Sequence, residues 1–301
     1  MTFDLLVSLV PVLSPILIAI LVGYVWAKKG TPAEPAHLTQ IILNVGTPCL
    51  VFSTLSTLTV SPAELGTMAL ACVLMLSIFI GTSYAMLRGV GLPHRIYLAP
   101  TIFGNLGNLG LPVSLYAFGD TGLELALILF ATQSVLFFTV NMWLMSGKAS
   151  PLSMLKTPHI YAIGAALAFT LSDTAPPVWV TNTTELLGGM TIPLMLIMLG
   201  ISLARMKVVA VSRPLIVVGL RLVVGVGVAL ALAWLLGLDS TAAGVIFIAC
   251  CMPAAVFNYL MAVRYDRDPG EVASFIVLNT LAILILLPVL VPVAWWIAGT
   301  P

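Results

Sequence analysis

Apolar residues run along this chain in long blocks, without the two-residue alternation of a half-buried strand. Ten blocks are legible, at 4–27, 36–57, 64–87, 94–118, 122–145, 152–173, 178–204, 209–236, 241–263 and 271–297. Each is near the roughly 20 residues that an α-helix needs to cross a bilayer. The connections are short, so the pattern predicts an all-α polytopic membrane protein of ten transmembrane helices. The sixth block is the weakest, because its clean run, Ile160 to Leu171, is short unless the helix begins before Pro158. The fourth is interrupted. Gly104-Asn105-Leu106-Gly107-Asn108-Leu109-Gly110-Leu111-Pro112 sets three glycines, two asparagines and a proline inside an apolar run. Lipid offers the backbone no hydrogen-bond partner, so non-helical chain at membrane depth survives only within protein or beside a watery cavity. The interruption is the first candidate for a binding site.

Composition narrows the class. Hydrophobic residues make up 60% of the 301 and charged residues 8%, which excludes a soluble globular domain. The first block follows Asp4 with no basic residue before it and exceeds a signal-peptide core, so it is expected to stay as the first span. Cys49, Cys72, Cys250 and Cys251 lie inside apolar blocks with no zinc spacing. They read as packing residues; neither a metal nor a cofactor is expected, and no nucleic-acid partner.

The basic residues test the count of spans independently. Lys28, Lys29, Arg88, Arg95, Lys148, Lys156, Arg205, Lys207, Arg213, Arg264 and Arg267 all fall after odd-numbered blocks, which accounts for 11 of the 12. By the positive-inside rule the odd loops face the cytoplasm and both termini are expected to face outward, with the plasma (inner) membrane as the expected location. Glu64, Asp120, Glu124, Asp173 and Asp239, on the other face, carry little topological weight.

Prolines suggest an internal duplication. Pro15 and Pro158 are 143 residues apart, Pro48 and Pro193 are 145 apart, and Pro112 and Pro253 are 141 apart. Five spans per half, at 1–145 and 152–297, would place the second half upside down, as two inverted five-helix repeats with crossing broken helices 4 and 9. Twenty prolines also align somewhere by chance. A broken helix exposes N–H groups at one half-helix start and carbonyls at the other half-helix end. An anion suits the former and a cation the latter. Neutral amides stand near both breaks: Asn105 and Asn108 in span four, Asn258 in span nine.

Each candidate has two readings. Membrane asparagines often join helices by hydrogen bonds, but beside a break Asn105 is the first choice for substrate, with Gly110, Pro112 and Pro253 shaping the site. Asn108 and Asn258 divide evenly between the two roles. Asn44, four residues before Pro48, either lines the same cavity or pairs with backbone freed by the proline. Gln133 and Asn141 of span five are cavity-lining or interhelical. Arg221, the one basic residue away from the loops, snorkels toward the cytoplasm or attracts an anion. Glu185 reads as interfacial, with a proton-carrying role as the alternative, and His37, His94 and His159 as solvated span ends.

These features together resemble the auxin efflux carrier family, which spans plant PIN-type carriers and bacterial permeases for malate-like and malonate-like acids. The resemblance covers nearly the whole chain. It rests on Asn105 and the Gly-Leu-Pro ending at Pro112, followed by Tyr116-Ala117-Phe118-Gly119; on Met190 to Met195 leading to Leu199-Gly200-Ile201-Ser202-Leu203; and on Met252-Pro253-Ala254-Ala255 running to Tyr265 and Asp268-Pro269. It implies a scaffold domain of helices 1, 2, 6 and 7, a transport domain of helices 3–5 and 8–10, elevator-like motion, Asn105 facing the substrate, a basic residue at Arg221, and a homodimer. The long cytoplasmic loop of many plant members is reduced here to about Ser146 to Lys156, and span three has no acid or base, which weakens an auxin-specific reading. The expected function is secondary transport of a small organic anion, with a proton or sodium ion left open as the coupling partner. The alternative is a cation- or proton-coupled antiporter, or a channel, on a related inverted-repeat fold. An antiporter would be expected to carry an aspartate near the crossover, and neither break has one. No HExxH, nucleophile elbow or paired intramembrane aspartate points to an enzyme.

Overall fold

A computed structural model of the chain describes residues 2–30, 35–57, 61–146, 158–172, 174–238 and 240–299. Lys148, Lys156, Asp173, Asp239 and almost all of the loop from Ser146 to Lys156 lie outside these, as does the side chain of His159. Among the described residues the chain is helical and forms no β-strand. The helices are α1 (Thr2–Lys28), α2 (Pro35–Ile41), α3 (Thr47–Leu55), α4 (Pro62–Gly89), α5 (His94–Ile102), α6 (Leu111–Leu136), α7 (Met142–Ser146), α8 (Pro158–Leu171), α9 (Val178–Gly189), α10 (Thr191–Arg205), α11 (Ser212–Leu236), α12 (Ser240–Cys251), α13 (Phe257–Arg264) and α14 (Pro269–Ala298). Seven helical stretches among the described residues are long and apolar enough to cross a membrane, and Ile160–Thr170 and Thr241–Cys251 are shorter apolar helices.

One of the seven, Leu106–Met145, is 40 residues long. As a straight helix it would extend about 60 Å, twice the thickness of a hydrocarbon core. It is instead a hairpin. Gly119 has φ 66° and ψ −155°, outside the helical region. A Cβ on Gly122 would lie 2.5 Å from the Ser114 carbonyl oxygen, and one on Gly107 would lie 3.1 Å from the Phe130 ring. Residues eight apart in a continuous helix are separated by about 12 Å, so the chain must reverse at Gly119. The expected loop between spans four and five is thus this single glycine.

Prolines set the local geometry of two segments in the same way. Pro48 has no N–H to give the Asn44 carbonyl, and its ring crowds that oxygen; the turn Ile42–Gly46 widens to π geometry and Thr47 N–H reaches back to the Ile42 carbonyl. Pro112 does the same to Asn108: Leu106–Gly110 is a π turn and Leu111 N–H reaches the Leu106 carbonyl. Such widened turns are frequent at functional sites.

α1 packs on α10 through reciprocal glycines. A Cβ on Gly23 would lie 2.0 Å from the Ile197 carbonyl oxygen, and one on Gly200 would lie 2.0 Å from that of Ile20. Lipid supplies no hydrophobic drive between helices, so small residues that let backbones touch carry the association. α3 packs on α8 and α9, while α4, α5, α6, α11, α12 and α14 form the other set of mutual neighbours.

Candidate functional site

The two breaks meet. Gly104 and Ala254 form an isolated antiparallel bridge, with Asn105 N–H donating to the Pro253 carbonyl at 2.7 Å and Ala255 N–H to the Phe103 carbonyl at 3.0 Å. The helix is lost only over residues 103–105, a shorter interruption than the nine residues from Gly104 to Pro112, because the π turn restores helical bonding from Leu106. The other break covers 252–256. Pro112 and Pro253 are not equivalent: Pro112 stands in continuous helix just after the π turn that its missing N–H widens, whereas Pro253 lies in the non-helical stretch and its carbonyl accepts from Asn105 N–H. The bridge instead sets Gly104 opposite Ala254, and with them Asn108 and Asn258, each four residues on.

Side chains satisfy what the breaks leave open. The Gln133 amide nitrogen donates to the Gly104 carbonyl at 2.9 Å. Asn258 donates to the carbonyls of Phe103, at 3.3 Å, and Ala255, at 3.1 Å, and accepts from Asn141 at 3.2 Å. Ala254 N–H donates to Asn279 Oδ1 at 2.8 Å. Arg221 donates through Nε and Nη2 to the Met252 carbonyl. The Gln133, Asn279 and Arg221 bonds pair backbone groups that would otherwise stand open at membrane depth, where the cost is several kcal/mol, while Asn258 adds second bonds to carbonyls the backbone already engages.

Beside the crossing lies a cavity of about 360 Å³, within the range of small-molecule sites. On one side it is lined by Thr39, Leu43, Asn44, Met195, Met198 and Ser202; on the other by Asn105, Asn108, Phe130, Gln133, Phe137 and Phe257, together with the Gly104, Gly107 and Ala255 positions. No Asp, Glu, Lys or Arg is among the lining residues. Phe137 makes edge-to-face contacts with Phe103 and Phe257, at 5.1 and 5.4 Å between centroids, and so ties the aromatic wall to both breaks.

Asn105 is the distinctive side chain of this wall. It is 4% exposed. Its Oδ1 accepts from Asn108 N–H at 3.3 Å, capping the helix start, and that bond fixes the orientation of the amide. Its Nδ2 is buried and has no partner.

Asn44, Asn105, Asn108 and Gln133, proposed from sequence, therefore line one cavity. Gly110, Pro112, Pro253, Asn258 and Arg221 do not. Gly110 is buried against Leu106 and Met252, Asn258 and Asn141 tie the two breaks together, and Arg221 stands behind the crossing, neither snorkelling nor in the cavity. Glu185 and His94 are exposed, as expected for span ends. Sequence reasoning missed Met195, Met198 and Ser202, which share one face of α10 at helical spacing; α10 is apolar around most of its circumference, so that face carries no mark. It also missed the aromatic wall, since phenylalanines in an apolar run look alike whether they face lipid or a cavity.

A crossing of two broken helices beside a cavity, within a bundle of membrane-length helices, defines a multi-pass membrane protein with a candidate site at the crossing. The chain belongs to the auxin efflux carrier family of membrane transport proteins, whose family profile matches residues 7–156 and 141–291. It is 28% identical over 288 residues to an uncharacterized transporter of Methanothermobacter thermautotrophicus, covering 91% of this chain and 94% of that protein. It is 25% identical over 285 residues to an uncharacterized transporter of Methanocaldococcus jannaschii, covering 88% and 92%.

Proposed function

We propose that this protein is a secondary active transporter that carries a small organic anion, a carboxylate, across the plasma membrane and holds it in the crossing cavity. The observation that carries this is Asn105, a residue of the cavity wall whose amide oxygen is engaged while its nitrogen is buried without a partner. Two half-helices start there, at Leu106 and Phe257, and Gly107 and Val256 of those first turns line the cavity. At the first of these starts the Leu106 and Gly107 amides precede the bonded ones, which begin at Asn108, and the positive end of each helix dipole favours an anion. A carboxylate would meet donors on the wall and no repelling acid.

The packing supports ten crossings in two inverted repeats. The hairpin at Gly119 divides the 40-residue stretch in two, and the two shorter apolar helices complete the set. Segment one packs on seven (α1 on α10) as six packs on two (α8 on α3). Segment three packs on five (α4 on α6) as eight packs on ten (α11 on α14), and on four (α4 on α5) as eight packs on nine (α11 on α12). Helices 1, 2, 6 and 7 would be the scaffold and helices 3–5 and 8–10 the transport domain, with both termini outside and a homodimer through the scaffold. The cavity falls on the seam between the two groups, and its scaffold wall carries no charged residue, which suits an elevator-like slide.

Flux into proteoliposomes tests this, using a panel of mono- and dicarboxylates and indole acids with sodium and pH gradients imposed separately. Saturable, mutually competing uptake of carboxylates is expected. Flux that does not saturate indicates a channel, and absence of carboxylate flux overturns the proposal.

A further inference from the structure

Arg221 takes no part in lining the cavity, yet it is 3% exposed in the middle of α11. Both Nε and Nη2 donate to the one carbonyl of Met252, at 3.1 and 2.7 Å. The guanidinium lies 5.3 Å from the centroid of the Phe79 ring, and Nη1 has no partner. Among the described residues no carboxylate pairs with it, and the titratable groups set against it are the thiols of Cys250 and Cys251. A buried charge without a counter-ion is costly in a membrane protein, so its position calls for a physical explanation.

That position is immediately behind the wall of the cavity. Nη2 lies 2.8 Å from where a Cβ on Gly104 would sit, and Gly104 itself lines the cavity. Only the backbone of one glycine separates the cation from the space where a substrate would lie. The guanidinium also covers the carbonyl that follows α12, offsetting the negative end of that half-helix. Left bare, that end would oppose an anion in the cavity.

We infer that Arg221 is the counter-charge of the transported anion, acting through the Gly104 wall without touching the substrate, and that it sets the preference for charge. This rests on the carboxylate reading above. Arg221 is a positioning residue whose effect scales with substrate charge. At a separation of roughly 8 Å and an effective dielectric constant of about 20, one unit of substrate charge gains about 30-fold in affinity. A dianion should gain about the square of that factor. A residue that only held the crossing together would affect both substrates alike.

Two measurements test the inference. In the first, uptake of malonate and of its monomethyl ester is compared in wild type, Arg221→Met and Arg221→Lys. Arg221→Met should weaken the dianion by a further factor of about 30 over the monoanion, and Arg221→Lys should keep most of the preference. Equal losses for the two substrates overturn the inference.

The second needs no substrate. Ala255→Cys, in a Cys49→Ser background, places a thiol on the cavity wall, and the pH dependence of its alkylation by neutral N-ethylmaleimide reports the local potential. A nearby cation lowers a thiol pKa, so Arg221→Met should raise the apparent pKa by about one unit and Arg221→Lys should largely restore it. An unchanged pKa overturns the inference. Should Arg221→Met and Arg221→Gln both aggregate, Gly104→Ala, whose methyl displaces the guanidinium, must raise the same pKa, and no change there is equally fatal. A shifted thiol in a protein that carries no carboxylate would uphold the charge behind the wall and refute the substrate class alone.

Discussion

Asn105→Asp separates the two jobs of the Asn105 side chain. The cap is retained, because the aspartate keeps an oxygen where Oδ1 now accepts from Asn108 N–H at 3.3 Å, and a carboxylate at a helix start is favoured by about 0.3–1 kcal/mol. The free donor is lost. A hydrogen bond to a charged carboxylate is worth about 1.5–3 kcal/mol. The new carboxylate also repels a substrate carboxylate, by about 4 kcal/mol at 4 Å and an effective dielectric constant near 20. Together these come to roughly 6 kcal/mol, or on the order of ten-thousand-fold in affinity. Asn105→Ala should differ in kind: it loses the cap, about 1 kcal/mol of stability, and only the donor's share of affinity, about 10- to 100-fold. Competition for carboxylate uptake in proteoliposomes measures affinity, and thermal unfolding in detergent measures the cap. Lowering the pH restores an O–H donor to the aspartate, so uptake by Asn105→Asp should recover as pH falls. Wild-type affinity in Asn105→Asp at neutral pH would refute the assignment of Asn105 Nδ2 to the substrate. Unfolding of Asn105→Asp below Asn105→Ala would refute the capping role.

Other consequences follow from the packing and the topology. Gly23→Ala, whose methyl would meet the Ile197 carbonyl oxygen at 2.0 Å, should destabilise the α1–α10 contact by about 1–3 kcal/mol or more in thermal unfolding. Gly219→Ala, in the exposed interior of α11 with nothing within 4 Å, should stabilise by about 0.5–1 kcal/mol in the same assay. Gln133→Leu strands the Gly104 carbonyl and should cost about 1–3 kcal/mol, with loss of uptake. Single cysteines at Ala175 and Lys207, both exposed and on successive loops, should label from opposite sides of the membrane; labelling from one side would refute the orientation.

The helical class, the intervals that hold helix and the place of the break are written in the chain, because bilayer crossing demands long apolar runs and any departure from them must be explained by protein or water. Asn44 and Asn108 were legible only as polar residues near a proline or a break, with their roles left open; in the structure each precedes a proline by four residues and sits in the turn that the proline widens. Direction within the bundle was not legible. In an apolar helix nothing marks which face meets lipid, which is why Met195, Met198 and Ser202 went unseen and why Asn258, an amide like Asn105, turned out to bind the two breaks together. The proline register pairs Pro112 with Pro253 although only Pro253 lies in a break, because a proline is tolerated both beyond a widened helical turn and in extended chain. Sequence alone thus determined that two helices would break and what amides stood near the breaks. Only the tertiary structure decided that they meet at Gly104 and Ala254, leaving Asn105 with a free donor and setting Arg221 behind the wall. Those outcomes depend on contacts between residues about 150 apart in the chain, and no local pattern encodes them.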